Sequence, residues 1–201
     1  MARRIVVIQG HPDPDPGRLC RALADAYVAG AVTAGHVVDR VDLATLDFPL
    51  LRTQAEFEHG SLPPALLHAQ RALVEAEHLV LIFPLWLGTM PALVKAFLEQ
   101  VMRPGVAFDY TEGGGTRMKL RGRSARLVVT MGMPSLVYRL WFLGHGLRAL
   151  ERNILRFVGI GPIRTTLFAC WECASAGESR SPAEKVKSSG AKRKLMEHVN
   201  R

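Results

Sequence analysis

The sequence predicts an α/β fold: a doubly wound, five-stranded parallel sheet with helices on both faces. Five short runs rich in apolar and β-branched residues recur along the 201 residues. Segments with the apolar spacing of helices separate these runs, and strands that alternate with helices form parallel sheets. Two of the runs carry no charge, which is typical of strands buried on both faces. Five strands in a chain of this length favour the sheet order 2-1-3-4-5.

The first third of the chain contains two predicted strands and one helix. The run IVVI at 5–8 predicts a buried strand. A helix is expected over 17–34, because apolar residues recur on one face and Gly35 stands where helices commonly end. The segment 37–43 predicts a second strand, and its charged residues suggest the edge of the sheet.

The middle third begins with a long polar connection, 44–62. Ser61 is expected to cap a helix that runs to about Glu77. The apolar run LVLIFP at 79–84 predicts the third strand. A helix over 91–102 follows, with a proline in its first turn and a Lys95–Glu99 pair one helical turn apart.

The last third begins with a second long connection, 103–123. A fourth strand is expected at 125–131, one long helix over 135–158, and a fifth strand at 163–169. Gly144 and Gly146 are possible weak points of that helix.

Composition and charge exclude some functions. The chain is 48% hydrophobic and 22% charged, as in an ordinary globular domain. Its formal net charge is +8, but residues 178–201 hold seven basic and three acidic side chains, which is half of that charge. The rest lacks the basic stripe with interleaved aromatic residues that single-stranded nucleic acid requires, so no nucleic-acid partner is expected.

The uncharged run from Leu79 to Val94 raises the possibility of a membrane span. It has 16 residues, fewer than the roughly 20 that a transmembrane helix needs. Pro84, Gly88 and Pro91 also interrupt it. We interpret it as a buried strand, a turn and the start of a helix, and expect no membrane insertion.

Three cysteines suggest a reducing cytoplasm rather than a disulfide framework. No targeting segment is recognised at the amino end, so a cytoplasmic location is expected. Cys170 and Cys173 form a C-x-x-C pair, which can be redox-active. The pair follows the last strand instead of opening a helix after an early one, and this position favours a structural interpretation. No metal site is expected.

Doubly wound sheets bind ligands where the strand order reverses, at the carboxyl ends of the strands. The first loop there, QGHPDPDPGRLC at 9–20, matches neither the dinucleotide motif nor the P-loop. His11 and Arg18 could contribute side-chain donors to a phosphate, whereas Asp13 and Asp15 oppose an anion unless they point to solvent. The alternative is a rigid turn that binds nothing. The expected backbone donors are those of Gly17, Arg18 and Leu19.

The second loop, FPLWLGTMP at 83–91, offers Trp86 as a flat apolar wall and Gly88 for close approach to the backbone. Ordinary packing is the alternative, and spacing alone favours it. In the third loop, TMGMPSLVYRL at 130–140, Gly132 again permits close contact. Tyr138 and His145 lie two helical turns apart, where they could stabilise developing charge. Alternatively Tyr138 belongs to the core and His145 faces solvent.

Three blocks, spanning about residues 3–170, resemble one family: VVIQGHPDPDPGRL, EAEHLVLIFPLWLGTMPALVKAFLEQVMRPGVAFDY and TMGMPSLVYR. They are similar to the flavodoxin-like NAD(P)H:quinone oxidoreductases, which include DT-diaphorase and the bacterial modulator-of-drug-activity and general-stress quinone reductases. The middle block is the most specific, although Trp86 stands one place earlier than in the family pattern FPLxWxG…PAxLKGWxxRV. The matching residues are Phe83, Pro84, Leu85, Gly88, Pro91, Ala92, Leu93 and Lys95.

The resemblance implies a tightly bound flavin, either FMN or FAD. His11, Gly17 and Arg18 would hold its phosphate end. Tyr138 matches a family tyrosine, and His145 matches a family histidine with a shift of one residue; these two would steady charge on the flavin. The family often has TTGG where this chain has TMGM. The ring would lie between the backbone of Pro84, Leu85, Trp86, Leu87 and Gly88 and that of Met131, Gly132 and Met133.

The resemblance also implies a ping-pong reaction. NADH or NADPH gives a hydride to the flavin and leaves, and a quinone or similar acceptor then takes both electrons. Family members are homodimers with flavin sites at the interface, so the connections 44–62 and 103–123 would cover the partner's cleft. The expected organisation is a flavodoxin-like domain over 1–175 and a basic helix or disordered tail over 176–201.

Other functions stay open at this point. A non-enzymatic flavoprotein could carry electrons, although electron-carrying flavodoxins are typically acidic and this chain is basic. It could also regulate a membrane transporter, or the chain could share the fold without a flavin. Both FMN and FAD stay open as the flavin, and both NADH and NADPH as the electron donor.

Overall fold

The computed structural model describes residues 2–169. The predictions for Cys170, Cys173 and the tail 176–201 lie outside the described residues. In chain order the elements are β1 (Arg4–Gln9), α1 (Leu19–Thr33), β2 (Val37–Asp42), α2 (Gln54–His59), α3 (Leu67–Glu75), β3 (His78–Pro84), α4 (Ala92–Val101), β4 (Phe108–Tyr110), β5 (Thr116–Met118), β6 (Ser124–Met131), α5 (Ser135–Leu140), α6 (His145–Ala149) and β7 (Ile163–Ala169).

The main sheet confirms the predicted fold class. Its five strands are all parallel and run in the order β2-β1-β3-β6-β7, which is the predicted order 2-1-3-4-5. The charged second strand lies at an edge, as expected. The shift from β1 to β3 makes the carboxyl edge at these strands the point where the strand order reverses.

Successive strand residues supply the two sides of the core. Val6 and Ile8 of β1 pack into the cluster that includes residues of α3 and α4, whereas Ile5 and Val7 pack into a second cluster with α1. This alternation follows from the two-residue repeat of a strand, and burial on both sides explains why β1 and β3 are so apolar.

The single helix predicted over 135–158 is wrong. Leu143 and Gly144 both have positive φ, 51° and 61°, and they separate α5 from α6. A π-helical segment, Leu150–Leu155, follows α6. Positive φ is incompatible with a continuous right-handed helix. Consequently Tyr138 and His145 lie on two different helices and do not share a helical face.

The two long connections contain structure that the sequence patterns did not reveal. The first includes α2, which Thr53 caps by accepting a hydrogen bond from Glu56 N at 3.1 Å. The second includes the antiparallel hairpin β4–β5. The predicted cap at Ser61 is wrong, because a 3₁₀ turn starts after Pro63 and has no side-chain cap.

Arg103 attaches the first connection to α4. It is buried, and its guanidinium donates to the carbonyls of Gly60 and Ser61 and to Gln100 Oε1. Gln100 in turn donates to Pro49 O at 2.7 Å. The buried arginine therefore holds the carboxyl end of the first connection, and Gln100, to which it is bonded, contacts Pro49 nearer its start.

Candidate active site at the carboxyl edge of the sheet

The three loops singled out in the sequence meet in space. The rings of His11 and Trp86 lie 6.0 Å apart, edge to face, which joins the first loop to the second. Leu85 N donates to Thr130 O at 2.8 Å, and this bond joins the second loop to the end of β6. The convergence of these loops at the switch point makes this edge the candidate site.

The second loop is a tight turn. Trp86 and Thr89 exchange backbone hydrogen bonds of 2.9 and 3.0 Å. The two residues between them have positive φ, 47° at Leu87 and 80° at Gly88, as in a type I′ turn. Leu87 is fully exposed in this sparsely populated conformation, and Trp86 is 48% exposed. Strained backbone with exposed apolar side chains is typical of binding sites.

The third segment holds this turn from behind. Tyr138 Oη donates to Gly88 O at 3.1 Å. Gly146 approaches the same carbonyl so closely that a Cβ there would lie 2.3 Å from Gly88 O and 2.8 Å from Thr89 Cα. The turn that presents Trp86 is therefore positioned by one hydrogen bond and one glycine contact, which we call the turn clamp (Tyr138, Gly146 and Gly88 O).

The first loop is bonded to itself. Asp15 Oδ1 accepts from Gly17 N at 2.8 Å, and Asp13 Oδ1 accepts from Asp15 N at 2.9 Å. Arg18 donates to Asp13 Oδ2 and lies 3.5 Å from Asp15 Oδ2. The sequence raised the possibility that both carboxylates point to solvent. Instead they accept hydrogen bonds from Gly17 N and Arg18, two of the groups that were predicted to bind a phosphate.

His11 sits at the other side of this loop. Its Nδ1 accepts a hydrogen bond from Asp13 N at 3.0 Å, which leaves Nε2 as the protonated nitrogen of the neutral ring. Burial lowers the pKa of His11, and the positive charge of Arg18 lowers it further. His11 can therefore contribute a neutral N–H donor near neutral pH.

Of the other predicted site residues, some are buried or partly buried and others are exposed. Met131 is buried in the core and Met133 packs against it, while Gly132 is exposed at the mouth of the third loop. Tyr138 is 1% exposed, and burial raises its pKa. The His145 side chain is exposed at the start of α6. The structure thus brings Tyr138 to the turn through Gly88 and leaves His145 at the surface.

Two contacts at the site were not predicted. Cys20 Sγ lies 3.2 Å from Thr130 Oγ1, which joins α1 to β6 below the first loop. Burial raises the pKa of Cys20 to about 12, so its thiol is not a nucleophile near neutral pH. The other is the contact of Gly146. The only sign of this contact in the sequence is a glycine within an apolar segment. That sign does not show that Gly146 lies against the turn at Gly88 and Thr89.

The site fits a flavin on two observations. Trp86 provides an exposed aromatic wall next to a backbone turn with positive φ. The amino end of α1 has neither a side-chain cap nor an acidic residue in its first turn, so its N–H groups suit a phosphate. The ion pairs of Arg18 with the two aspartates must open for that side chain to contribute.

A cavity of about 290 Å³ lies elsewhere, between α2, α4, the hairpin and the π-helical segment. No residue of the three loops lines it. Within residues 2–169, no group of three or more His, Cys, Asp or Glu side chains is arranged to hold a metal ion. Over the same residues, no helix has the length and apolar character needed to cross a bilayer.

Comparison with known proteins places this chain among flavodoxin-like sequences. A family model described as having a flavodoxin-like fold matches residues 3–192. The FMN-dependent NADH:quinone oxidoreductase of Ruegeria pomeroyi is 30% identical over 129 residues, which cover 57% of this chain and 63% of that relative. The chain therefore matches less than two thirds of the length of this relative.

A second relative matches over more of its length. The FMN-dependent NADH:quinone oxidoreductase 2 of Listeria monocytogenes is 30% identical over 178 residues, covering 80% of this chain and 83% of that protein. Among solved structures, the NAD(P)H:quinone oxidoreductase from Methanothermobacter marburgensis superposes with a TM-score of 0.76. It is 21% identical, and the match covers 99% of this chain and 98% of that one.

Proposed function

Because this chain belongs to the family with the flavodoxin-like fold, we propose that it is a flavin-dependent oxidoreductase that passes two electrons from NADH or NADPH to a quinone-type acceptor. The names of its relatives favour FMN as the cofactor and NADH as the donor. The observation that carries the proposal is the convergence of three loops around the exposed Trp86 at the switch point of the sheet.

The phosphate end of the flavin would lie on the first loop. There the uncapped amino end of α1 supplies backbone N–H groups, and the neutral His11 supplies Nε2–H. Arg18 would add positive charge after leaving its carboxylate partners. None of these donors has to change its protonation state on binding, so the phosphate end serves only as an anchor.

The ring would lie on the turn from Trp86 to Thr89. A bound flavin supplies the two-electron chemistry, and the protein supplies position and electrostatics. The exposed indole of Trp86 would cover apolar ring surface and exclude water from it. The backbone of the exposed Leu87 and of the half-buried Gly88 would contact the polar ring edge. Gly132, at the mouth of the third loop, would leave room for the opposite edge. The nicotinamide donor and the quinone-type acceptor would then bind one after the other to the open face of the flavin ring, which is a ping-pong order.

The proposed roles of Tyr138 and His145 stay predictions. The Tyr138 hydroxyl donates to Gly88 O, so it orients the turn before any substrate arrives. To stabilise charge on a bound flavin it would have to exchange that bond. The exposed His145 has the freedom to approach a ligand from the rim of the site.

Truncation of the aromatic wall is expected to weaken flavin binding. We expect Trp86→Ala to bind FMN about tenfold or more weakly than the native chain, because the ring loses its apolar contact. Trp86→Phe, which keeps an aromatic face, should stay within about threefold. Fluorescence titration of FMN measures both variants. Equal affinity of Trp86→Ala and the native chain would contradict our placement of the ring.

We also propose that the chain forms a homodimer with the flavin sites at the interface. An exposed apolar surface that adjoins the turn supports it, since large apolar patches on globular proteins mark interaction sites. This apolar face consists of Trp86, Leu87, Leu136, Val137, Leu140, Trp141, Phe142 and Leu143, which are between 41% and 104% exposed.

Charge placed on this apolar face should dissociate the dimer. Trp141 is 83% exposed, and we expect Trp141→Asp to sediment as a monomer at concentrations where the native chain is a dimer. Val32→Asp is the control, because Val32 is 56% exposed but lies in the last turn of α1, at the opposite edge of the sheet. A native chain that sediments as a monomer would refute the dimer and leave the flavin proposal standing.

A further inference from the structure

The first loop already contains anions at the place where the phosphate of a flavin would bind. Gly17 N is bonded to the carboxylate of Asp15 at 2.8 Å. Arg18 is paired with both carboxylates, as a donor to Asp13 Oδ2 and at 3.5 Å from Asp15 Oδ2. Two of the donors that the family resemblance assigns to a phosphate are thus engaged by acidic residues of the same loop.

These contacts are local and well placed to compete with a ligand. The carboxylates lie two and five residues from the groups that they bind. Three prolines, Pro12, Pro14 and Pro16, alternate with the aspartates and restrict the backbone of the loop. A phosphate would have to displace both carboxylates from Arg18 and would then lie next to two negative charges. Carboxylates and phosphates both accept charge-assisted hydrogen bonds from arginine and from backbone N–H groups, so one can replace the other.

We infer that Asp13 and Asp15 act as a built-in competitor of the flavin phosphate, which lowers the affinity for FMN relative to a flavin that has no phosphate. The inference rests on the proposed flavin site and specifies how its phosphate end works. Binding of FMN transfers Arg18 from the two carboxylates to the phosphate. The first-turn N–H groups of α1, which no side chain of the described residues caps, are the donors available before that transfer.

The inference predicts a change that is specific to the phosphate. In the double variant Asp13→Asn/Asp15→Asn, each amide keeps an oxygen that can accept the loop hydrogen bonds but carries no charge. We expect FMN to bind this variant about fivefold to tenfold more tightly than the native chain, a size suited to partly exposed ion pairs. Riboflavin, which has the same ring and no phosphate, should bind both proteins equally.

The amino edge of the sheet offers a matched control. Arg4 is also held by two carboxylates, Asp39 at 3.3 Å and Glu75 at 2.7 Å. The double variant Asp39→Asn/Glu75→Gln makes the same change in net charge at the opposite edge. It should leave the affinities for FMN and riboflavin unchanged. A tighter FMN complex in this control would mean that net charge alone is responsible, and the inference would be wrong.

The measurement is a fluorescence titration with FMN and with riboflavin, supported by thermal melting to confirm that each variant is folded. If the double variant does not fold, Asp15→Ala provides the second test, because it releases Gly17 N without touching Asp13. An unchanged FMN affinity would show that the carboxylates do not compete with the phosphate, and a weaker one that they hold the loop in its binding shape; either result contradicts the inference. If the native chain binds neither FMN nor riboflavin, the proposed function itself fails, and that outcome is distinct from the others.

Discussion

Gly146→Ala is expected to remove flavin binding and to lower the free energy of unfolding by about 1–3 kcal/mol, the usual cost of overpacking. The added Cβ would lie 2.3 Å from Gly88 O and 2.8 Å from Thr89 Cα. These atoms belong to backbone and cannot rotate away as a side chain could. The turn with Trp86 must therefore move, and the hydrogen bond from Tyr138 to Gly88 O moves with it.

A second glycine in a helix serves as the control. Gly30 lies within α1, and a Cβ there would meet no atom within 4 Å. Gly30→Ala should leave flavin binding unchanged and raise the free energy of unfolding by up to about 1 kcal/mol, because alanine loses less backbone entropy in a helix. Chemical denaturation and flavin titration measure both variants. A Gly146→Ala protein as stable and as competent in binding as Gly30→Ala would refute the turn clamp.

The other large effect is expected at Arg103. Arg103→Met should lower the free energy of unfolding by about 2–4 kcal/mol, since the carbonyls of Gly60 and Ser61 and the amide oxygen of Gln100 lose their donor. Methionine keeps much of the apolar volume, so the loss reports on hydrogen bonds more than on packing. The connection 44–62 should also become sensitive to proteases, because Arg103 joins its carboxyl end to Gln100 of α4.

An exposed arginine provides the comparison for Arg103. Arg71 is exposed on α3 and pairs with Glu75 one turn away. Arg71→Met should change the melting temperature little, as exposed ion pairs contribute little to stability. The interpretation of the Arg103 network would be wrong if the two variants melted alike and the connection 44–62 were equally resistant to cleavage.

The sheet could be predicted because its signals are local and repeated. The runs at 5–8 and 79–84 are apolar on both faces, and a strand buried on both faces has few other compositions. Gly35 marked the end of α1, and it has a φ of 81°, as a glycine at that position should. The sheet order was then predicted from the number of strands in a chain of this length.

What could not be predicted depends on contacts between segments distant in sequence. The sequence marked Gly144 as a weak point of the predicted helix, but it did not show that the helix ends there. The break also requires positive φ at Leu143, which that residue type disfavours. The hairpin β4–β5 has strands of three residues, too short to show a two-residue repeat. The ion pairs of Asp13 and Asp15 with Arg18 depend on how a proline-rich loop bends, which composition does not specify.

At the site, the position of the three loops was predictable and their internal geometry was not. Trp86 and Gly88 stood out by residue type, and the structure places them in one tight turn at the switch point. The contact of Gly146 with that turn joins residues 58 positions apart. It is a packing relation, and a single sequence contains no record of it.

The absorbance spectrum of the purified chain with one equivalent of FMN tests the central claim most directly. We expect a bound-flavin spectrum whose visible absorbance band is lost on addition of NADH without oxygen and recovers when a quinone is added. A chain that leaves FMN free in solution, or bound FMN whose spectrum neither NADH nor NADPH changes, would contradict the assignment of this edge of the sheet as a flavin-dependent oxidoreductase site.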